Sequence, residues 1–364
     1  MHWLRVFFIL ILVSGMVLPL RVDLIHASDD FLPMPLLYLD NFFSHHLLIA
    51  EKATHKLYLF KNSDSNPHLI KTYQMATGKK SGNKLFQGDY RTPEGIYQLT
   101  NFITKKQLIK RYGKEGEIYG IGSFVMDYPN PIDRKRGKTG GGIWLHSTND
   151  ETRIDKGLDS RGCIVIANND LKDVSRYIEL NKTMIVIVHE LNFLNKKSWD
   201  RNRKIINDFV INWADAWKNE NLDKYLGHYH ETEFSDHFRG SFKQFKIYKR
   251  SVFNNPGLPD INLKNVSIIQ TKNYATVTFL QEYKSRTIND IGKKILYLKK
   301  DDYYNWKIVS ERWSKTGMAM SKGLPDNQDD RSIAGRREQQ STGQVAFRPS
   351  MRFFDNEEKN IGKN

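Results

Sequence analysis

The sequence has a single cysteine, Cys163, among 364 residues, so the chain cannot form an internal disulfide. After Leu20 it also lacks any apolar run long enough to span a bilayer. These absences exclude a disulfide-stapled secreted domain and a protein with several membrane spans. A lone thiol is either a small buried apolar group or a reactive nucleophile, and its neighbours in the sequence must decide between the two.

Export is indicated at the N-terminus, where one cation, Arg5, precedes an apolar run over residues 6–20. The run has the length of a signal-peptide core and is short for a membrane span. Cleavage after Ala27 fits this pattern, although Ile25 is a poor match to the small residue preferred two positions earlier. We therefore expect residues 1–27 to be a signal peptide or an uncleaved anchor, and the chain to be exported to the periplasm or cell envelope.

Acidic residues are outnumbered, because 41 Asp and Glu against 56 Lys and Arg give a net charge of +15. Such an excess often accompanies nucleic-acid binding, but the export signal argues against nucleic acid as a partner. An anionic envelope surface or polymer is the better match. The composition is otherwise that of a globular protein, and the length leaves room for about two domains.

Residues 45–190 have the pattern of a β-rich domain. Short apolar stretches punctuated by glycine and by an Arg-Thr-Pro-Glu-Gly turn predict strands, and one segment with a polar start predicts a helix. The predicted strands cover residues 47–51, 56–61, 68–78, 95–103, 140–146, 163–167 and 183–190, and the predicted helix covers 168–180. Residues 28–44, which precede this domain, are expected to be a linker.

A second domain is predicted over residues 198–316. Apolar residues at helical spacing from Ile206 to Trp217 indicate one long helix with a buried face. A polar, histidine-containing loop follows, and four strand patterns between residues 265 and 313 predict a curled antiparallel sheet. We expect an independent α+β domain that contacts the first. The tail, residues 317–364, is polar and is predicted to be disordered.

The residues around Cys163 favour a reactive thiol. Gly162 permits a tight turn and leaves the amides of Gly162 and Cys163 open to form an oxyanion hole. His146 ends the preceding predicted strand, and if the two strands pair, the loop between them returns the thiol to the imidazole. A neighbouring histidine makes the thiolate accessible near neutral pH, and the charge of Arg161 favours the thiolate further or binds a substrate carboxylate.

The stretch HSTNDETRIDKGLDSRGCIVIANNDL resembles the signature of the L,D-transpeptidase catalytic domain, which has the YkuD-like fold. In that family a histidine is followed, after a variable loop, by Ser/Thr-x-Gly-Cys and an apolar strand. The upstream GDYRTPEGIYQL matches a Thr-Pro-x-Gly-x-Tyr element, and the resemblance covers about Leu47 to His189. Ser147 stands where many members have glycine, and Arg161 stands where many have histidine, although a subgroup has arginine.

That subgroup also has a C-terminal domain similar to the nuclear transport factor 2-like (NTF2-like) cone, which the second predicted domain resembles over Trp199–Ser314. The layout is similar to that of envelope enzymes of spiral or curved bacteria that trim the tetrapeptide stem of peptidoglycan to a tripeptide. The resemblance implies a β-rich L,D-transpeptidase-like catalytic domain followed by an NTF2-like α+β domain. It also implies an activity on peptidoglycan stem peptides without a cofactor.

The same resemblance implies roles for individual residues. Cys163 attacks the carbonyl between diaminopimelate and the terminal D-alanine, His146 acts as base and then as acid, and the Ser147 carbonyl and the Gly162 amide complete the catalytic set. The thioester passes to water in a carboxypeptidase or to an amine of a neighbouring stem in a transpeptidase. The layout and the Ser-Arg-Gly-Cys variant favour water. The expected substrate contacts are Arg161, Ser160, Trp144 and Gly142. A homodimer through the second domain is one role open to that domain.

Three alternatives are weaker. The polar cluster of metal-ligand side chains His228, His230, Glu231, Glu233 and His237 fits no standard metal site, and we predict a solvated loop without a metal. Gly137–Thr139 lacks the glycine that a phosphate-binding loop needs five positions earlier. The rival class is a non-catalytic wall-binding module, and the intact His146, Gly162 and Cys163 argue against it.

Overall fold

The computed structural model describes residues 31–315, except for 64–65, 237, 255–256 and 287. The predicted leader and the predicted tail lie outside the described residues. Within the described part, none of the helices has the length and apolar content needed to cross a bilayer.

The first half of the chain is built mainly from short strands. They are β1 (Phe31–Pro33), β2 (Leu36–Tyr38), β3 (His46–Glu51), β4 (Lys56–Ser63), β5 (Asn66–Gln74), β6 (Thr77–Gly78), β7 (Gly95–Thr104), β8 (Gly122–Met126), β9 (Trp144–His146), β10 (Leu158–Ser160), β11 (Ile164–Val165) and β12 (Met184–Val188). The helices among them are α1 (Lys105–Tyr112), α2 (Pro131–Lys135), α3 (Thr152–Asp155) and α4 (Asn168–Val174), with 3-10 turns at Gly113–Tyr119 and Ser175–Tyr177.

Eight of these strands form one sheet in the order β11-β9-β8-β7-β12-β3-β4-β5. Strand β12 is parallel to β3 and antiparallel to β7. Its sequence, Met-Ile-Val-Ile-Val, is apolar throughout because both faces of the strand are covered. Ile185 and Ile187 pack in the interior of the first domain, while Met184 and Val186 pack in a second apolar core.

The second half begins with a short strand and a long helix. Its elements are β13 (Phe193–Asn195), α5 (Lys196–Lys218), α6 (Leu222–Gly227), β14 (Ser235–Asp236), β15 (Gly240–Ser241), α7 (Phe242–Phe253), β16 (Asp260–Gln270), β17 (Ala275–Lys284), β18 (Asn289–Lys300) and β19 (Trp306–Ser314). Strands β16 to β19 form an antiparallel sheet against which the predicted apolar face of α5 packs, including Ile206 and Trp213. This confirms the helix-and-sheet architecture of the second domain.

Two helices of the second domain differ from the prediction. The long helix ends at Lys218, and Asn221 then caps the separate helix α6 by accepting a hydrogen bond from the Lys224 amide. Helix α7 occupies part of the segment predicted to be a loop. The sequence does contain a start signal for this helix, a capping box in which Ser241 and Gln244 exchange hydrogen bonds. The lysines along the helix interrupt its apolar pattern, so the helix is difficult to recognise from the sequence.

The segment predicted to be a linker, residues 28–44, contributes two strands instead. Strand β1 pairs with β13, and β2 pairs with β16 at the edge of the second sheet. The indole Nε1 of Trp199 donates to the carbonyls of Pro33 at 3.2 Å and Leu36 at 3.1 Å. Each strand has only three residues, and prolines separate them, so neither shows an alternation that the sequence pattern can reveal.

The prediction of an independent second domain is wrong, because the two sheets share an apolar core. Residues of the first sheet and of the second sheet are buried in one cluster, among them Leu47, Val186, Ile269, Ile295 and Val309. The phenolic oxygen of Tyr274 accepts hydrogen bonds from the Ile96 amide at 2.5 Å and from Asn130 Nδ2 at 2.9 Å. All of the described residues accordingly belong to one compact unit.

Candidate active site

Two short parallel strands bring the predicted nucleophile and base to one face of the sheet. In the β9–β11 pair, Leu145 lies opposite Ile164 and His146 lies opposite Val165. Leu145 and Ile164 point into the first-domain core, so strand alternation places His146 on the other face. Cys163 immediately precedes β11, and the same alternation, counted back from Val165, directs it to the face of His146. Both observed strands are shorter than the sequence pattern predicted, so Gly142 and Cys163 lie in loops at the strand ends.

His146 is held by the residue that follows it. Its Nδ1 lies 2.5 Å from the carbonyl oxygen of Ser147, so this nitrogen carries the proton and Nε2 has the free lone pair. The Ser147 side chain is itself fixed, because its Oγ accepts a hydrogen bond from the Ile121 amide at 2.8 Å. The ring of Tyr119 stands edge-on to the imidazole at 5.0 Å. The carbonyl that the family resemblance implies is therefore in place, and it orients the imidazole.

The sulfur of Cys163 lies between two backbone groups. The thiol donates a weak hydrogen bond to the Gly142 carbonyl at a distance of 3.5 Å, and the Trp144 amide donates to the sulfur. Gly142 was predicted to contact substrate, but its carbonyl contacts the nucleophile. Cys163 itself is half-buried.

Both reacting groups are uncharged in the free site. Burial raises the pKa of Cys163 to about 11, against the opposing effects of the Trp144 amide and of the charges on Arg153 and Lys84. Burial lowers the pKa of His146 to about 4, and Arg153 lowers it further, against the hydrogen bond to the Ser147 carbonyl. The expectation of an accessible thiolate near neutral pH is not met in the free site. The charges that favour the thiolate belong to Arg153 and Lys84, whereas Arg161 was predicted.

The turn before the thiol needs a glycine, for a reason that differs from the prediction. Gly162 has φ +124°, and a Cβ there would lie 2.8 Å from the carbonyl oxygen of Arg91. Its amide donates to Ser160 Oγ at 3.0 Å, and that hydroxyl donates to the Cys163 carbonyl at 2.6 Å. The Gly162 amide is therefore occupied, and the buried Ser160 holds the turn rather than lining a substrate surface. The Cys163 amide has no hydrogen-bond acceptor among the described residues.

The upstream GDYRTPEG motif packs against the turn at Gly162 and Cys163 through the carbonyl of Arg91. Asp89 forms a buried ion pair with Lys84 at 2.7 Å and accepts hydrogen bonds from the amides of Leu85 and Arg91. Thr92 Oγ1 accepts from the Gly78 amide at 2.9 Å. These bonds fix the Arg91 carbonyl against which Gly162 packs. The match to the family motif thus has a structural basis.

The histidine-rich segment of the second domain does not assemble a metal site among the residues that the structure describes. His228 Nδ1 bonds to the Lys224 carbonyl at 2.7 Å, and its ring packs against Phe209. Glu233 is paired with Lys299. His237 lies outside the described residues.

Comparisons with known proteins agree with this geometry. A family model described as the L,D-transpeptidase catalytic domain matches residues 45–187, and one described as the Cds6 C-terminal NTF2-like domain matches residues 205–312. The solved structure of Bd1075 from Bdellovibrio bacteriovorus is 30% identical, with a TM-score of 0.68, and the match covers 79% of this chain and 99% of that one. The chain belongs to the L,D-transpeptidase family.

A second relative has the same two-domain layout. The helical cell shape determining protein Pgp2 from Campylobacter jejuni is 26% identical, with a TM-score of 0.62, and the match covers 76% of this chain and 95% of Pgp2. A comparison with curated proteins finds no match. The family resemblance and the fold class predicted from the sequence, a YkuD-like domain followed by an NTF2-like domain, are confirmed.

In this L,D-transpeptidase-family site, an aromatic wall lines the approach to the imidazole. Tyr119 lies 4.9 Å from the ring of Trp144, which also contacts Tyr112 at 6.3 Å. Trp144 is buried, so it supports Tyr119 rather than presenting a surface to substrate. Burial and the nearby Cys163 raise the pKa of Tyr119, while Arg161, which is exposed, opposes them. No motif marks these tyrosines, which end helix α1 and the 3-10 segment that follows it.

Proposed function

We propose that the protein is an exported, cysteine-dependent L,D-carboxypeptidase that trims tetrapeptide stems of peptidoglycan to tripeptides. The observation that supports the proposal is the pairing of β9, which ends at His146, with β11, which Cys163 immediately precedes, together with the bond between Nδ1 of His146 and the Ser147 carbonyl. Membership in the L,D-transpeptidase family supports a wall peptide as substrate, and the name of Pgp2 supports a role in cell shape.

The neutral resting pair defines the first step. As the sulfur attacks the carbonyl between diaminopimelate and D-alanine, the thiol proton passes to Nε2 of His146, which acts as a general base. The Cys163 amide is the free donor that stabilises the oxyanion. When the tetrahedral intermediate collapses, the C–N bond breaks, and Nε2 returns the proton to the amine of the leaving D-alanine.

Water then completes the reaction. It attacks the thioester, Nε2 of His146 accepts one of its protons, and the thiol is regenerated as the tripeptide leaves. Arg161, exposed beside the nucleophile, binds the free carboxylate of the terminal D-alanine through paired hydrogen bonds. This places a recognition group for a chain end next to the reacting carbonyl, as carboxypeptidase specificity requires.

The second candidate function is an L,D-transpeptidase, in which an amine of a neighbouring stem replaces water. The half-reaction that forms the thioester is the same in both cases, so the residues described above serve either acceptor. Dimerisation through the second domain and attraction of the basic surface to an anionic envelope polymer remain predictions.

The test is to incubate the full chain with sacculi rich in tetrapeptide stems and to separate the products by liquid chromatography. Tripeptide without new dimers supports the proposal. Dimers linked between two diaminopimelates overturn hydrolysis in favour of transpeptidation, and no product at all favours the wall-binding module.

Cys163→Ala should be inactive, and His146→Ala should be slower by a factor of about 10² to 10⁴. The matched control, His228→Ala in the second domain, should keep nearly full activity.

A further inference from the structure

The loop between β9 and β11 contains a nearly buried arginine that the reaction described above does not use. The side chain of Arg153 is 11% exposed, and its Nε pairs with the carboxylate of Asp159. Its Nη1 donates to Thr148 Oγ1 at 3.1 Å and to the Ile118 carbonyl at 3.4 Å. One guanidinium thus joins three separate stretches of chain.

Each of these partners is adjacent in sequence to a part of the site. Ile118 precedes Tyr119, whose ring packs against the imidazole of His146. Thr148 follows Ser147, whose carbonyl binds His146 Nδ1. Asp159 precedes Ser160, whose hydroxyl fixes the turn at the thiol. Loss of the guanidinium would remove one bond from each of the three stretches at once.

The charge of Arg153 also acts on both reacting groups. Burial is the largest influence on each, but Arg153 is the charge common to the two, and it lowers the pKa of Cys163 as well as that of His146. A cation favours the anionic sulfur and disfavours the imidazolium, as expected from simple electrostatics. Lys84 acts on the sulfur as well and is paired with Asp89, just as Arg153 is paired with Asp159, but Lys84 is not among the charges that act on His146.

We propose that Arg153 is a positioning residue for this active site, which holds Tyr119, His146 and the Cys163 turn in register and stabilises the sulfur anion as it forms. The consequence for turnover rests on the proposed function, whereas the consequence for thiol reactivity does not. Arg153 has no contact with the sulfur among the described hydrogen bonds, so its influence is exerted through its charge and through the three stretches that it joins.

The test measures alkylation of Cys163, the only cysteine, by iodoacetamide in the full chain at a fixed pH below the thiol midpoint. Below the midpoint, the rate is proportional to the thiolate fraction, and one pKa unit corresponds to tenfold. Arg153→Gln should slow alkylation roughly three- to tenfold. Arg153→Lys keeps the charge and should alkylate at nearly the wild-type rate, but its turnover should fall because an ammonium cannot reach all three partners. The matched control is Arg176→Gln, which removes an exposed arginine paired with Asp173 and should leave both rates unchanged.

Asp159→Asn should change the alkylation rate of Cys163 in the direction opposite to Arg153→Gln. It removes the negative charge that compensates Arg153, so alkylation should be faster than in the wild type while turnover falls. A merely structural role predicts that Asp159→Asn and Arg153→Gln change alkylation in the same direction, and that result would overturn the proposal. Wild-type alkylation in a folded Arg153→Gln protein would overturn it as well. If the wild type does not process stems but the alkylation rates change as expected, the proposed function fails and the role of Arg153 at the thiol stands.

Discussion

At the scale of single residues, His146 and Cys163 titrate far from their ordinary ranges, in directions that keep both groups uncharged. Burial is the largest cause in each case, and it lowers the pKa of His146 to about 4 and raises that of Cys163 to about 11. A preformed thiolate–imidazolium pair would need the reverse order of these values. In the proposed reaction, the thiolate is therefore generated during the attack, and that step relies on the orientation of the imidazole rather than on a preformed ion pair.

The pH dependence of kcat/KM follows from that order. His146 accepts a proton only when neutral, so the acid limb should lie near pH 4, with about a tenfold loss for each pH unit below it. Between pH 5 and 9 the profile should be flat, because neither reacting group titrates there. The measurement is kcat/KM on a tetrapeptide stem, with circular dichroism at each pH to confirm folding. An acid limb near the ordinary histidine value, about 6.5, would contradict the neutral pair.

Gly162 and Gly141 differ in whether the structure has room for a side chain. Gly162→Ala places a Cβ 2.8 Å from the Arg91 carbonyl at a φ of +124°, so the turn must move and take the sulfur with it. A displacement of about 1 Å can reduce the rate about 10²-fold. Gly141→Ala is the matched control, since its Cβ meets open space. Steady-state kinetics on the two variants should differ by that factor, and equal rates would show that the turn tolerates the added carbon.

At the scale of elements, the sequence pattern predicted the strands and helices in which each face has the same surroundings, apolar or solvent, along its whole length. Strand β12 is covered on both faces and the apolar face of α5 is continuous, and both appear clearly in the sequence. The pairing of β9 with β11 was also predictable, because His146 and Gly162-Cys163 stand at the ends of apolar runs.

The elements that were missed obtain their stability from contacts distant in sequence. Strand β2 has three residues and is buried against β16, more than two hundred residues away. Helix α7 buries Lys249 by laying its amine over aromatic rings, including Trp217 at 4.8 Å, so a charged residue occupies a core position. Tyr119 ends a 3-10 segment and Arg153 lies in the four-residue helix α3, and both elements are too short to show a periodicity that predicts which side chains turn inward.

At the scale of the whole molecule, the first sheet and the second sheet share one apolar core. Leu47 and Val186 of the first sheet are buried together with Ile269 and Val309 of the second. The ion pair between Asp127 and Arg312, at 2.9 Å, joins the same two halves. The NTF2-like domain therefore stabilises the face of the sheet opposite the first-domain core, and removing it would expose apolar residues on β3 and β12.

The shared core predicts a single unfolding transition that one interdomain hydroxyl controls. Tyr274→Phe removes the oxygen that accepts from the Ile96 amide and from Asn130 Nδ2. Asn130 Nδ2 keeps its bond to the Ile96 carbonyl, but the buried Ile96 amide loses this acceptor, at a cost of about 1–3 kcal/mol. Unfolding is followed in denaturant by two probes. One is the tryptophan fluorescence in a Trp144→Phe background, which reports mainly on Trp199, Trp213 and Trp217 of the second-domain core, and the other is the alkylation of Cys163 in the first domain. Without the Tyr274 substitution the two midpoints should coincide, and in Tyr274→Phe they should fall together. Tyr304→Phe, at an 80% exposed position in the same domain, is the matched control and should leave both midpoints unchanged. Separate midpoints, or a shift of the tryptophan signal alone, would show that the catalytic sheet folds without support from its partner.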